Sequence, residues 1–424
     1  MYNISEPLFI LSITHRSPIV KYYFLWYNKM ERILIHSDLN NFYASVESLY
    51  NEQLRHVPMA VVGDPAMRHG IILAKNDIAK KMGVITGESI FSARRKVAGL
   101  VTLTADYPKY VDFAKRVRKI YAEYSDEVIP FGLDEAWVDL SGKALNIGEG
   151  AILADELRAR VRAELGLTAS VGVSYNYIFS KLASDMKKPD ATTVLGREDM
   201  EPVIWKLPAF ELLYVGPSTR KKLVNMGVLT IGDLARFNPK YLKRALGKNG
   251  ETLWRFANGD DREFDPKTPE HDPYKSMGNT VTMPYDLSNE LDILTMIYVL
   301  SKTVSARLVN HKLKAACISI LLKYNDFTAM TRQLTVSLPT DKEQDIFKSA
   351  KSLFTSNFSG TPLRSIGVHV SRLKSNRYEQ LTLRGDEADN IDEISEIENN
   401  LRGKLKEMRV DKFFNFNFTE EKIC

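Results

Sequence analysis

The chain has 424 residues, 44% of them apolar, enough for packed cores in about three domains at roughly 150 residues each. Lys and Arg number 58 against 53 Asp and Glu, so the net charge of +5 argues weakly for a polyanion partner, and clustering of the cations matters more. Cys317 and Cys424 are too distant in sequence for a metal or redox motif, and no apolar run approaches the ~20 residues that span a bilayer, which excludes a disulfide scaffold and a helical membrane protein. A reducing, cytoplasmic setting is expected.

Residues 1–29 carry short apolar patches, Leu8–Leu11 and Tyr22–Tyr27, broken by His15, Arg16 and Lys21, with no cleavage pattern after them. They read as an extension outside the fold rather than a secretory signal. The stretch that follows, ILIHSDLNNFYASVE (33–47), is a short strand that ends on Asp38 and runs straight into a helix. Phe42, Val46 and Leu49 recur at helical spacing as its buried face, with Tyr43, Glu47 and Tyr50 on another face. A carboxylate at a strand end can hold a divalent metal, and the free N–H groups of the following helix suit a phosphate. Together they point to a metal–nucleotide site.

Met59–Val62 and Gly70–Ala74 read as strands joined by hairpin chemistry in GDPAMRHG, followed by short helices over 76–82 and 88–97. A longer helix spans Tyr107–Tyr124. Two strand-like runs within VIPFGLDEAWVDL (128–140) flank Asp134 and Glu135, and a hairpin there places both carboxylates near its tip. Helix Ala151–Leu165, strand Leu167–Val173 and helix Tyr177–Lys187, stopped by Pro189, complete a mixed region without strict βαβ alternation, so the fold class is α+β and multidomain. Residues 205–264 read as short helices. Pro266, Pro269 and Pro273 mark a linker. Residues 275–383 then give a long helix (Leu291–Leu308), strands Ala315–Leu322 and Arg332–Leu338, helix Asp341–Phe354 and strand Ser365–Leu373, an order that resembles a split βαβ unit. The tail, 384–424, is acidic and then basic, and ends in FFNFNF.

Asp38, Asp134 and Glu135 are the candidate metal ligands, because Mg2+ takes oxygen donors and is commonly held by one or two carboxylates plus substrate phosphates. Two such ions about 3.5–4 Å apart stabilise both attacking and leaving oxygens in phosphoryl transfer. Alone, Asp38 is equally an ordinary helix-start cap, and Asp134-Glu135 a solvated turn. Their pairing carries the argument.

At this point the sequence resembles the Y-family (translesion) DNA polymerases, near the bacterial polymerase IV branch. DLNNFYASVE (38–47), AKNDIAKKMGV (74–84), FGLDEAWVDLSG (131–142), SVGVSYNYIFSKLASDMKKPD (170–190) and VGPST (215–219) carry the likeness, in the expected order, across about residues 31–383. The resemblance implies a right-hand polymerase: palm over 30–41 and 105–195, small fingers over 42–104, a helical thumb with a helix-hairpin-helix turn over 196–264, a linker over 265–274, and a little finger over 275–383. It implies Asp38, Asp134 and Glu135 as the acids for two Mg2+ ions, with the Leu39 carbonyl as a further ligand. Phe42 and Tyr43 would stack beneath the incoming sugar, with Tyr43 as steric gate against a 2′-hydroxyl. Lys188 would reach the triphosphate. The expected partners are primer–template DNA and deoxynucleoside triphosphates, for a monomer at the nucleoid.

The sequence departs from the family pattern at Asp77 and Lys80, where many relatives place a Tyr and an Arg on the triphosphate. Lys80 still offers a point charge without the bidentate fork, whereas ionised Asp77 cannot donate to a phosphate. Gly132-Leu133 replaces the commoner Ser-Ile, and Tyr214 stands where the thumb turn usually has its first glycine. Arg220, Lys221 and Lys222 follow that turn, and two acid-free basic runs, 301–325 and 364–377, point to a phosphate-tracking surface. A sliding clamp could dock at Gln380-Leu381-Thr382-Leu383, which lacks its aromatic anchor because Arg384 follows, or at Glu407–Phe414 through Val410, Phe413 and Phe414. The rivals are a catalytically silent DNA-binding or clamp-recruitment factor and a palm-type cyclase or two-metal nuclease.

Overall fold

The computed structural model describes residues 32–64, 70–262, 264 and 274–375. The expected extension 1–29, nearly all of the linker, the tail and both clamp-peptide candidates lie outside these residues. Strand β1 (Leu34–Leu39) enters helix α1 (Phe42–Tyr50) through Asn41, whose φ of 51° is a left-handed conformation that a short polar side chain tolerates. Next come β2 (Met59–Val62) and β3 (Ile72–Lys75), then α2 (Asp77–Lys81), whose N-terminus is capped by the Asn76 side chain. Helix α3 (Ile90–Lys96) is capped by Ser89, and β4 (Val101–Thr104) runs parallel to β2, giving a small sheet in the order β3-β2-β4.

Helix α4 (Tyr107–Ala122) leads to β5 (Val128–Pro130), β6 (Glu135–Asp139), α5 (Ile147–Leu165), β7 (Ala169–Ser174), α6 (Tyr177–Met186) and β8 (Thr192–Leu195). Their sheet has the order β5-β6-β1-β7-β8, antiparallel except for β7–β8. Central β1 is buried along its whole length, so His36, Ser37 and Asp38 are buried with it and need internal partners. Helices α7 (Pro217–Asn225), α8 (Ile231–Arg236), α9 (Pro239–Leu246) and α10 (Lys248–Ala257) follow, as the short-segmented texture implies, around Leu223, Ile231, Leu242, Leu253 and Phe256. Tyr214 takes φ 70°, a conformation suited to glycine, and its ring packs near Phe256 and Phe264.

The last elements are β9 (Ser276–Leu287), α11 (Glu290–Asn310), β10 (Leu313–Tyr324), β11 (Ala329–Thr340), α12 (Glu343–Asn357) and β12 (Leu363–Ser375). The sheet order β11-β10-β12-β9 is antiparallel throughout. It follows that β9 and β10 are parallel with β12 between them, and β11 and β12 parallel with β10 between them. These are two interlocked split βαβ units, one more than the sequence reading recognised. The described chain falls into two compact units: residues 32–56 with 106–264, and residues 57–105 with 274–375. Helix α1 belongs to the first, although the sequence reading grouped residues 42–56 with the fingers. Among the described residues no helix is long and apolar enough to cross a membrane.

Candidate active site

The β1–β6 register sets Asp38 directly opposite Glu135. Asp134 ends the turn before β6, and its carbonyl accepts the Leu39 N–H at 3.0 Å, which ties the turn to the end of β1. Gly132, at φ 86°, supplies the turn conformation in place of the family's commoner residue. The three acids therefore meet where β1 ends beside the start of β6, although Asp134 lies 96 positions after Asp38 in sequence. Burial, then the charges of Asp38 and Glu135, push the Asp134 carboxyl up to about 6.

Two lysines share the acids' ground. Lys188 Nζ lies 2.6 Å from Asp38 Oδ2 and 2.8 Å from Asp185 Oδ1. Lys181 Nζ lies 3.0 Å from Glu135 Oε2, 3.5 Å from Asp38 Oδ2 and 3.3 Å from Asp185 Oδ2. Burial works against both ammonium charges, yet the carboxylates outweigh it and hold both pKa values above the usual lysine range. Two residues beyond Lys188, the Asp190 N–H donates to Asn40 Oδ1 at 2.8 Å, and Asn40 donates to Ser170 Oγ at 2.9 Å.

Beneath the acids lies His36, fully buried on β1. Its Nδ1 is 2.8 Å from Ser184 Oγ, and its Nε2 is 3.3 Å from Glu135 Oε2. Neither Nε2 nor Oε2 has a well-aligned hydrogen bond. Among the described residues no three acidic, histidine or cysteine side chains surround a common point closely enough to coordinate a metal as they stand. The donor chemistry nevertheless suits one: burial and the charges of Asp38 and Glu135 make Asp134 costly to ionise, and Lys181 and Lys188 are the cations that now offset this cluster of carboxylate oxygens. A hard divalent cation takes such oxygen donors.

Tyr43 is half-buried, one helical step into α1, and the Asp134 charge is among the influences that raise its hydroxyl to about 12, after burial and Tyr107. Phe42 is buried, its ring centroid 5.5 Å from that of Tyr43. Lys80 is exposed on α2, in the second compact unit, as is Asp77. Sequence reading missed Lys181, Asp185 and His36. The signal for the first two was present: Lys181 and Asp185 stand at i and i+4, a charged pair on one helix face, with Lys188 just past the helix end.

A family model described as the impB/mucB/samB family matches residues 37–185, and that family's C-terminal domain matches residues 274–383. DNA polymerase IV of Acetivibrio thermocellus is 47% identical over 360 residues, covering 84% of this chain and 90% of that protein. The chain belongs to the Y-family of DNA polymerases. The thumb domain model of DNA polymerase-iota matches residues 211–261 of this Y-family chain. Bacillus subtilis DNA polymerase IV 1 is 35% identical to it over 355 residues, covering 83% of this chain and 85% of the relative. A solved Y-family DNA polymerase chimera, 21% identical, shares the polymerase's fold with a TM-score of 0.71 over 81% of this chain and 100% of the other. Polymerases of this family use divalent metal ions and act on DNA and nucleotides. A catalytically silent factor finds no support among these relatives.

Proposed function

We propose that this polymerase adds deoxynucleotides to a primer 3′ end under template direction, as in translesion synthesis during DNA repair, and that Asp38, Asp134 and Glu135 are its catalytic acids. The observation that carries the reading is the Asp38–Glu135 pairing across β1 and β6 with Asp134 on the adjoining turn. The acids, with the Leu39 carbonyl, would hold Mg2+. A pair of such ions, once bound, supplies activation of the primer hydroxyl and neutralisation of the leaving pyrophosphate. Lys188 and Lys181 balance the acids' charge in the free enzyme, and a nucleotide triphosphate offers Lys188 a competing anion. Tyr43, with Phe42 behind it, forms the floor on which the sugar rests, and a ring against C2′ leaves no room for a hydroxyl. The polymerase acts as a monomer at the nucleoid.

The test is Asp134→Ala in primer extension beside a DNA-retention assay. Extension should fall by at least about a thousandfold while retention of the primer–template persists. Retained extension would remove these acids from the mechanism.

A further inference from the structure

The first unit contains a second carboxylate that the polymerase chemistry above leaves without a task. Glu47 is 8% exposed, although its helical position marks it for solvent. It lies one turn beyond Tyr43 on α1, and its carboxylate is held by Lys109 and Tyr110 of α4. Tyr110 donates its hydroxyl to Glu47 Oε1 at 2.7 Å, and Lys109 Nζ donates to Oε1 and Oε2 at 3.0 and 2.9 Å. Tyr110 is itself fully buried. The ring of Tyr43 lies flat on that of Tyr110, with centroids 4.2 Å apart and planes 10° apart, while Tyr107 meets both edge-on at 6.1 and 6.2 Å.

These contacts have a common consequence for Tyr43. A buried carboxylate with two well-placed donors is costly to disturb, because removing one partner leaves a charge unpaired in low dielectric. The hydrogen bond to Glu47 fixes the tip of Tyr110, and a phenol hydroxyl prefers its hydrogen in the ring plane, so the bond also resists ring twist. The Tyr110 face then fixes the height and tilt of Tyr43 from below. Phe42 closes the adjoining side, with centroids 5.5 Å from Tyr43 and 6.3 Å from Tyr110. A steric filter works only if its wall cannot yield. A ring that can sink by an ångström admits the hydroxyl it is meant to refuse.

We propose that Tyr110, clamped by Glu47 and Lys109, is a positioning residue for sugar selection: it holds the Tyr43 ring at the height that excludes a ribonucleotide. The proposal rests on the reading of Tyr43 as the steric gate. Tyr110 acts through the ring stacked on it.

The experiment measures kcat/KM for one correct deoxynucleotide and for its ribonucleotide counterpart on a primer–template with the full chain. Four variants are compared with the wild type: Tyr43→Ala, Tyr110→Leu, Tyr110→Phe and Glu47→Gln. Tyr43→Ala should collapse the deoxy-to-ribo ratio and so tests the gate itself. Tyr110→Leu should lower the ratio by about tenfold or more, mainly through better ribonucleotide KM, with deoxynucleotide incorporation down by at most about threefold. Tyr110→Phe and Glu47→Gln, which keep the packing, should each lower the ratio by about threefold, and they carry the test if the leucine variant does not fold. A residue that merely filled the core would slow both substrates alike and leave the ratio in place. Tyr43→Ala with an altered ratio and all foldable Tyr110 and Glu47 variants at the wild-type ratio would overturn the proposal. An unaltered ratio in Tyr43→Ala would instead overturn the gate on which it rests.

Discussion

Two carboxylates of this chain are driven in opposite directions by their immediate neighbours. Asp134 is pushed up to about 6 by burial and by two more acids, whereas Glu88 is held down to about 2. Glu88 accepts from Lys96 Nζ at 2.8 Å, the Ile85 N–H at 2.7 Å and Ser92 Oγ at 2.7 Å, and so ties the turn before α3 to that helix. Because its folded pKa is depressed, the stabilisation is present above the unfolded value of about 4.5 and is lost as pH falls toward 2. Glu88→Gln should therefore melt a few degrees below the wild type at pH 7, and the gap should narrow steadily as pH falls from 4.5 toward 3 in thermal denaturation. A gap that is absent at pH 7, or that holds its size in acid, would contradict this. Glu47, buried against Lys109 and Tyr110, shows what sequence reasoning cannot see. Helical spacing puts it with Tyr43 and Tyr50, and a charged residue off the apolar face is ordinarily solvated. Its partners Lys109 and Tyr110 lie 62 and 63 residues away. By contrast, the placement of Asp38 at a strand end and of Asp134-Glu135 at a hairpin turn was legible, because both are local features.

At the scale of elements, the approach of α6 to β7 decides where Lys181 and Ser184 sit. Gly172 permits it: a Cβ there would overlap the Ser180 carbonyl and the Ser184 N–H, both backbone groups that cannot step aside singly. Gly172→Ala should destabilise the protein by about 2–3 kcal/mol or more, read as a fall in melting temperature, and slow extension as α6 shifts. A melting temperature within a degree of the wild type would mean that the helix rides more freely than the contact allows. The elements with strong local signals were the readable ones, from β1 and α1 to the long α11. Three strands were not read. Strand β4 has four residues, none buried, and a single parallel partner. Strand β8 is a four-residue edge beside β7. Strand β9 carries Gly278, Asn279 and Pro284, poor strand formers, and Pro284 falls where its pairing with β12 slips between Thr282 and Leu287. An edge strand tolerates such a proline because one row of its backbone groups needs no partner. Its existence was fixed by the sheet it joins, and nothing local announced it.

Across the whole molecule, charge runs in sequence do not map onto one surface. Of the basic stretch 301–325, Arg307 is half-buried and donates to the Gly278 carbonyl at 3.2 Å and to Asn279 Oδ1 at 3.0 Å, a structural task within the β9–α11 layer. Lys323 and Arg364 instead flank the exposed ring of Phe327, 5.4 and 4.8 Å from its centroid, and Arg372 and Lys374 are exposed on β12. The cations that can track a phosphate backbone are thus a subset of those the sequence offered. The central claim concerns chemistry rather than retention, since a protein with the same basic surfaces could hold DNA and do nothing to it. It is tested most directly by incubating a labelled primer–template with the full chain and Mg2+, supplying one nucleotide at a time. The account predicts a primer lengthened by one residue only when the nucleotide complements the template, and no lengthening when the metal is chelated. Cleavage of the labelled strand, or retardation without any extension, would contradict it.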